Sequence, residues 1–237
     1  MSHDDAVGLA KGLVQGDDGV VRCWWAGTDQ LYLRYHDREW GRPTKAETRL
    51  FEKLCLEGFQ AGLSWITILR KREAFRAAFA GFGPEAVARF GARDVTRLLR
   101  DASVVRHRGK IESTINNAHR ALELQADGGL AAYAWSFEPE AASRPRRLTR
   151  DRLLTMATTP ASVAMSRDLK ARGWTFVGPT IVYAFMQAMG LVNDHLEGCA
   201  VRAACERARA RFRPPLARRP PLVARRLPLV ARRLPAV

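Results

Sequence analysis

No run of about 18 consecutive apolar residues occurs anywhere in the 237-residue sequence, so a transmembrane helix is not expected. The segment Met1 to Gly19 is polar and acidic and lacks the apolar h-region of a secretory signal. Cysteine is sparse, with Cys23, Cys55, Cys199 and Cys205. With no export signal the expected compartment is the cytoplasm, where thiols stay reduced; metal binding then becomes a better reading of the cysteines than disulfides. Lysine is scarce beside arginine, and alanine is abundant. Both biases follow GC-rich codons and point to a bacterial source, not to a function. Alternating apolar and polar runs that would pair as strands are also missing.

What is present is 47% hydrophobic residues, enough for a real core and too many for a wholly disordered chain. The formal net charge of +15 favours an anionic partner. That charge is uneven. Residues 206–237 hold ten arginines against one acid, Glu206, so this stretch carries +9 and the first 205 residues only +6. Three seven-residue units, Arg213–Arg219 (RPPLARR), Pro220–Arg226 (PPLVARR) and Leu227–Arg233 (LPLVARR), echo one another, and their prolines forbid a coiled coil. Three segments are therefore expected: a flexible extension over 1–20, one compact domain over 21–205, and a disordered Arg/Pro-rich tail over 206–237. The tail reads either as inert or as an electrostatic arm for DNA.

The compact part reads as all-α. Thr44-x-x-Glu47 predicts a capping box opening a helix with Leu50, Phe51 and Leu54 on one face, which Gly58 is expected to end. A second helix is predicted from about Ala61 to Phe79. Arg93–Asp101 and Lys110–Gln125 read as a helix pair joined by a short turn. Thr159-Pro160 opens another helix that Gly173 closes, and Gly178-Pro179 opens the next, closed by Gly190.

Three groups of residues carry candidate chemistry. Cys23 and His36 lie thirteen positions apart, and His195 and Cys199 are spaced i, i+4, on one face of a helical turn. Two thiolates and two imidazoles make a closed tetrahedral zinc site, which is structural because no position is left for water. Spacing alone leaves open two satisfied histidines and two buried thiols. Cys55 reads as a core residue, and Cys205 as a free thiol past the fold. Trp24, Trp25, Tyr32, Tyr35 and Trp40 crowd one short segment, and Glu57 follows between Leu56 and Gly58 at a helix–helix turn. Glu57 is either a solvated helix-end carboxylate or the polar contact of an aromatic box for a flat, cationic ligand. The turn Asp101 to Lys110 carries Arg106, Arg108 and Lys110 around Gly109. It is either an ordinary solvated turn or a place where backbone N–H groups and cations face a phosphate.

Four segments in order, Tyr32–Gly41 (YLRYHDREWG), Leu56–Trp65 (LEGFQAGLSW), Ala102–Lys110 (ASVVRHRGK) and Phe176–Cys199 (ending GLVNDHLEGC), give the chain from about Arg22 to Cys199 a resemblance to the DNA-3-methyladenine glycosylase I family. The resemblance implies a helix-hairpin-helix glycosylase fold with one structural zinc ion stapling the N- and C-terminal parts of the domain. Cys23, His36, His195 and Cys199 would be its ligands. It further implies a monofunctional hydrolase that flips 3-methyladenine out of double-stranded alkylated DNA and cuts its N-glycosidic bond, acting as a monomer without a membrane. Glu57 and Tyr35 would contact the edge of the base, Trp65 would stack on it, and Trp25 and Tyr32 would complete the box. Gly62 and Leu63 match the loop that fills the gap left in the duplex, with Arg106, Arg108, Gly109 and Lys110 on the DNA backbone. Trp40 is read as core. The rival reading on the same scaffold is a damage-binding protein without catalysis. Neither the first twenty residues nor the tail has a counterpart in the family pattern.

Overall fold

The structure is a computed structural model that describes residues 8–145, 147–218 and 221. A short antiparallel ribbon, β1 (Leu13–Gln15) and β2 (Val21–Cys23), comes first among the described residues, with Leu13 opposite Cys23. Eleven α-helices follow among the described residues: α1 (Gln30–Arg38), α2 (Glu47–Gln60), α3 (Trp65–Ala78), α4 (Pro84–Val87), α5 (Ala92–Arg100), α6 (Arg108–Glu123), α7 (Gly129–Trp135), α8 (Arg150–Thr155), α9 (Pro160–Ala171), α10 (Pro179–Ala188) and α11 (Arg202–Arg211). The fold is mostly helical, as expected, but the ribbon is an addition to the all-α reading. Its strands are three residues long, too short for an alternating pattern to register. None of these helices is long and apolar enough to cross a membrane.

The organising element is α2. Ten consecutive residues, Leu50 to Phe59, are buried, and the helix packs against α10, α6, α7 and α3. Phe59 leads into a run of rings, Phe75, Phe79 and Phe82, that fixes α3 beside it. A helix covered on all sides must find partners for every charge it carries. Glu52 meets Arg76 of α3, while Lys53 and Glu57 meet each other at 2.7 Å.

Both end signals read for α2 act differently in the fold. Ala46, not Thr44, is the N-cap, and Thr44 Oγ1 only accepts from the Ala46 N–H. Glu47 reaches across the chain instead, and its carboxylate accepts from the Leu130 and Ala131 N–H groups at the start of α7. It serves a helix N-terminus far away in sequence. Gly58 does not end α2 either. A Cβ there would sit 3.3 Å from the Phe176 side chain, so the glycine allows close packing inside a continuing helix. The Thr159-Pro160 and Gly178-Pro179 starts are as read, and Thr159 and Ser162 cap each other.

The domain is wider than the 21–205 boundaries. Leu13 is buried with Cys23, Leu148, Leu196 and Cys199 in a second small core, so part of the expected flexible extension is strand. At the other end α11 runs to Arg211, Cys205 is fully buried, and Phe212 lies on Trp135 with ring centroids 4.4 Å apart. Cys205 is therefore inside the fold and not a thiol beyond it. Residues 219–220 and 222–237, which hold most of the repeat read as a tail, lie outside the described residues.

Candidate active site and metal centre

The ribbon, α1 and the segment after α10 bring Cys23, His36, His195 and Cys199 together, all buried, with their ligand atoms within 4.8 Å of one another. Cys199 Sγ is 3.6 Å from both His36 Nε2 and His195 Nδ1, and Cys23 Sγ is 3.9 Å from His195 Nδ1. Metal–sulfur and metal–nitrogen bonds of about 2.3 and 2.0 Å at tetrahedral angles put S and N about 3.5 Å apart, so this donor set is spaced to hold a metal ion. The other ring nitrogens are occupied as a metal site requires. His36 Nδ1 meets Asp37 at 2.8 Å, and His195 Nε2 meets the Trp40 carbonyl at 3.1 Å. Arg22 clamps Asp37 and Asp18, and burial of Asp37 is outweighed by Arg22 and His36, which hold its carboxyl below the usual range. Hydrogen bonds from Cys23 and both imidazoles pull the Cys199 thiol well below the usual thiol range, toward thiolate. His195 and Cys199 are not on a helix, contrary to the i, i+4 reading. They flank an irregular turn in which the Cys199 N–H donates to the Leu196 carbonyl.

Against this cluster lies an aromatic wall. Trp25 meets His36 edge-on at 5.0 Å, Trp40 meets His195 at 4.7 Å, and Trp25 and Trp40 meet at 4.7 Å. Their other sides border a cleft of about 290 Å³. Tyr32, Tyr35, Glu57 and Trp65 line it as well, so every residue read as catalytic or base-binding faces one space. Trp40, read as core, is buried yet also lines the cleft. The Tyr35 ring lies 5.3 Å from Trp65, and Trp25 lies 5.6 Å from Tyr32. Burial, reinforced by the Glu57 charge, pushes Tyr32 up to about 12 and Tyr35 well above the phenol range. Both phenols therefore remain hydrogen-bond donors at neutral pH. The cleft has an apolar, aromatic body and one carboxylate at 5% exposure, an arrangement suited to a flat, positively charged ring with an N–H edge.

The loop between α2 and α3 borders the cleft, since Gln60 and Trp65 on either side of it both line the space. Gly62 takes a φ of 83° with open space around its Cα, and Leu63 is 42% exposed. An apolar side chain is thus presented outward beside the opening. In the α5–α6 turn, Arg106 and Arg108 are exposed, Arg108 with Glu112 beside it, and His107 caps α6 through the Lys110 N–H. Lys110 stands apart from the reading that grouped it with these arginines. It is buried, and its ammonium donates to the Phe59 and Ala61 carbonyls at 2.9 and 2.6 Å. A cation at the C-terminus of α2 satisfies carbonyls that have no helical partner. Lys110 thereby locks the basic turn to the loop beside the cleft and is not presented to a phosphate.

Several lining residues went unmarked in the sequence: Leu153, Leu154 and Met156 near α8, and Ala184 and Gln187 on α10. Nothing local distinguishes them. Lys53 did leave a signal, a lysine four residues before Glu57, the spacing of an ion pair along one helix face.

Known proteins resemble this chain in sequence and in overall fold. The family model for methyladenine glycosylases matches residues 25–203. The DNA-3-methyladenine glycosylase 1 of Escherichia coli is 49% identical over 181 residues, 76% of this chain and 96% of that protein. The DNA-3-methyladenine glycosylase of Haemophilus influenzae is 43% identical over 184 residues, 76% of this chain and 97% of its own. A solved structure on 3-methyladenine recognition by 3-methyladenine DNA glycosylase I from Staphylococcus aureus superposes with a TM-score of 0.68 at 37% identity, covering 73% of this chain and 92% of that one.

Proposed function

The chain belongs to the methyladenine glycosylase family and is a base-excision glycosylase for 3-methyladenine, and from that premise we propose how its own residues divide the work. The observation that carries the proposal is the buried carboxylate of Glu57, facing a cleft walled by indole and phenol rings. A base inside the duplex stack is out of reach, so the target nucleotide must be extruded into that cleft. Methylation at N3 makes the attached adenine cationic. Trp65, with Trp25 and Tyr32, offers aromatic faces that attract such a ring by roughly 0.5–2 kcal/mol each. Glu57 accepts from the amino edge of the base, and Tyr35 hydrogen-bonds beside it.

The chemistry asks little of a general acid. When the C1′–N9 bond breaks, its electron pair neutralises the purine, which leaves as a neutral base. Water then adds to C1′ and loses a proton. Glu57 orients and selects the base and does not protonate it. Outside the cleft, Leu63 and Gly62 fill the gap left by the extruded nucleotide. Helix α5, the turn 101–107 and α6 form the helix-hairpin-helix, with Arg106, Arg108 and the backbone at Gly109 against the phosphates of double-stranded alkylated DNA. The ion held by the four Cys/His ligands is zinc. Four protein ligands close the site, so its contribution is structural: it joins β2 and α1 to the segment before α11 and backs the Trp25–Trp40 wall. The acting unit in this reading is the monomer, in a cytoplasm that keeps the thiols reduced.

Chromatography of the bases freed from methylated duplex DNA tests the excision reading. A 3-methyladenine peak is expected; tight binding to damaged DNA with no base released would favour a non-catalytic damage binder. The turn has its own test. Replacing Arg106 and Arg108 together by alanine is expected to lower the slope of log affinity against log salt on undamaged duplex by up to about 2, since each phosphate contact contributes about 0.9. A slope equal to that of the unaltered protein would remove the turn from the interface.

A further inference from the structure

A second charge lies beside Glu57 that the excision reading does not use. Lys53 is one turn earlier on α2, 5% exposed, with its ammonium 2.7 Å from Glu57 Oε1 and 2.7 Å from the Tyr35 hydroxyl. The same ammonium sits 3.2 Å from the centre of the Trp65 ring. In the free protein, a cation therefore already makes the three contacts proposed for the cationic base: an indole face, a phenol oxygen and the carboxylate. We propose that Lys53 is a specificity-determining residue of the base pocket, which holds the cation position in the free protein and releases its proton to solvent when a cationic base enters.

The argument is one of charge in a dry space. Glu57 and protonated Lys53 sum to zero. Adding a cationic purine would leave one uncompensated positive charge, and two cations would lie against one indole whichever face the base takes. Loss of a proton from Lys53, ammonium to amine, restores neutrality, and the amine keeps N–H donors for Tyr35. The groups around Lys53 leave it free to make this change. On α1, Tyr35 is pushed far above neutral pH, and Glu39 is locked to Arg72 of α3 by bonds of 2.6 and 2.9 Å. On α2, Glu57 favours the charged lysine. Burial outweighs it, with a further contribution from Arg72, and Lys53 is lowered to about 8. Near neutral pH the proton is held weakly enough to be displaced by another cation.

The inference rests on the excision reading, and one experiment separates the two. Single-turnover release of 3-methyladenine from methylated duplex DNA, at protein concentrations well below saturation so that the rate reports the free protein, is followed from pH 6.5 to 9 for the full chain and for Lys53→Met and Lys53→Arg. Because the competent form is the deprotonated one, the unaltered protein is expected to speed up as pH rises, about tenfold per unit below about pH 8, and to level off above it. Lys53→Met should be flat over this range and about tenfold or more faster than the unaltered protein at pH 6.5. Lys53→Arg keeps a permanent charge and should be slow and flat. A flat profile in the unaltered protein overturns the proposal even if neither variant folds, and so does the same rise persisting in Lys53→Met. No 3-methyladenine released at any pH would instead sink the excision reading itself.

Discussion

Serine at position 199 is expected to leave the protein unable to hold its metal and several kcal/mol less stable, with a corresponding fall in its unfolding midpoint. Cys199 is the hub of the cluster, 3.6 Å from each imidazole. A serine hydroxyl is a poor zinc ligand at neutral pH, and removing one of two thiolates from a four-ligand set gives up a large share of a binding free energy that is about 10–16 kcal/mol in structural sites. With zinc bound, that free energy would be folding free energy, because the four side chains come from β2, α1 and the segment 193–199 and meet only in the folded chain. The loss would spread to the cleft, since Trp25 and Trp40 rest edge-on against His36 and His195. Metal analysis of the unaltered protein, with about one zinc per chain expected, and thermal unfolding with and without a chelator provide the check. A metal-free protein that unfolds at the same temperature as its Cys199→Ser variant would exclude a structural ion.

Glu57→Gln is expected to slow 3-methyladenine excision by roughly 100-fold while the protein stays folded and metal-bound. A hydrogen bond to a charged acceptor in a buried site is worth about 1.5–3 kcal/mol, which is about 10–150-fold in rate if it acts on the bound, reacting base. Glutamine keeps the shape and one acceptor oxygen but loses the charge that draws a cation into the aromatic cleft. It also removes the partner that holds the Lys53 proton, so in this variant Lys53 should sit neutral and blunt the pH dependence. Glu57→Ala should be at least as damaging to excision, with an added stability loss from the cavity and the stranded lysine. Circular dichroism and metal content establish that the fold persists. Excision by Glu57→Gln at the unaltered rate would take Glu57 out of base recognition.

Local sequence carried most of the helices, because apolar spacing and caps such as Thr159 with Ser162 act within a few residues. It misread the signals whose partners are remote. Thr44-x-x-Glu47 has the letters of a capping box, yet Glu47 finds the N-terminus of α7 some eighty residues on. Gly58 looked like a stop and is a point of contact with Phe176. Lys110 looked like a phosphate contact because it stands in a basic turn, but its ammonium has better partners at the end of α2.

By itself, the order of residues determined that this chain forms helices, carries two thiols and two imidazoles able to take a metal, and places a carboxylate among clustered aromatics; its four motif segments identified the family. Those are properties of residue type and short spacing, which the chain has before it folds. Only the tertiary structure decided that the four ligands meet behind the Trp25–Trp40 wall, that the ribbon and α11 belong to the domain, and that Lys53 lies on Trp65 between Tyr35 and Glu57. The reason is desolvation. A charge acquires its role from what surrounds it once water is excluded, and for Lys53, Lys110 and Glu57 those surroundings are assembled from helices far apart in the sequence.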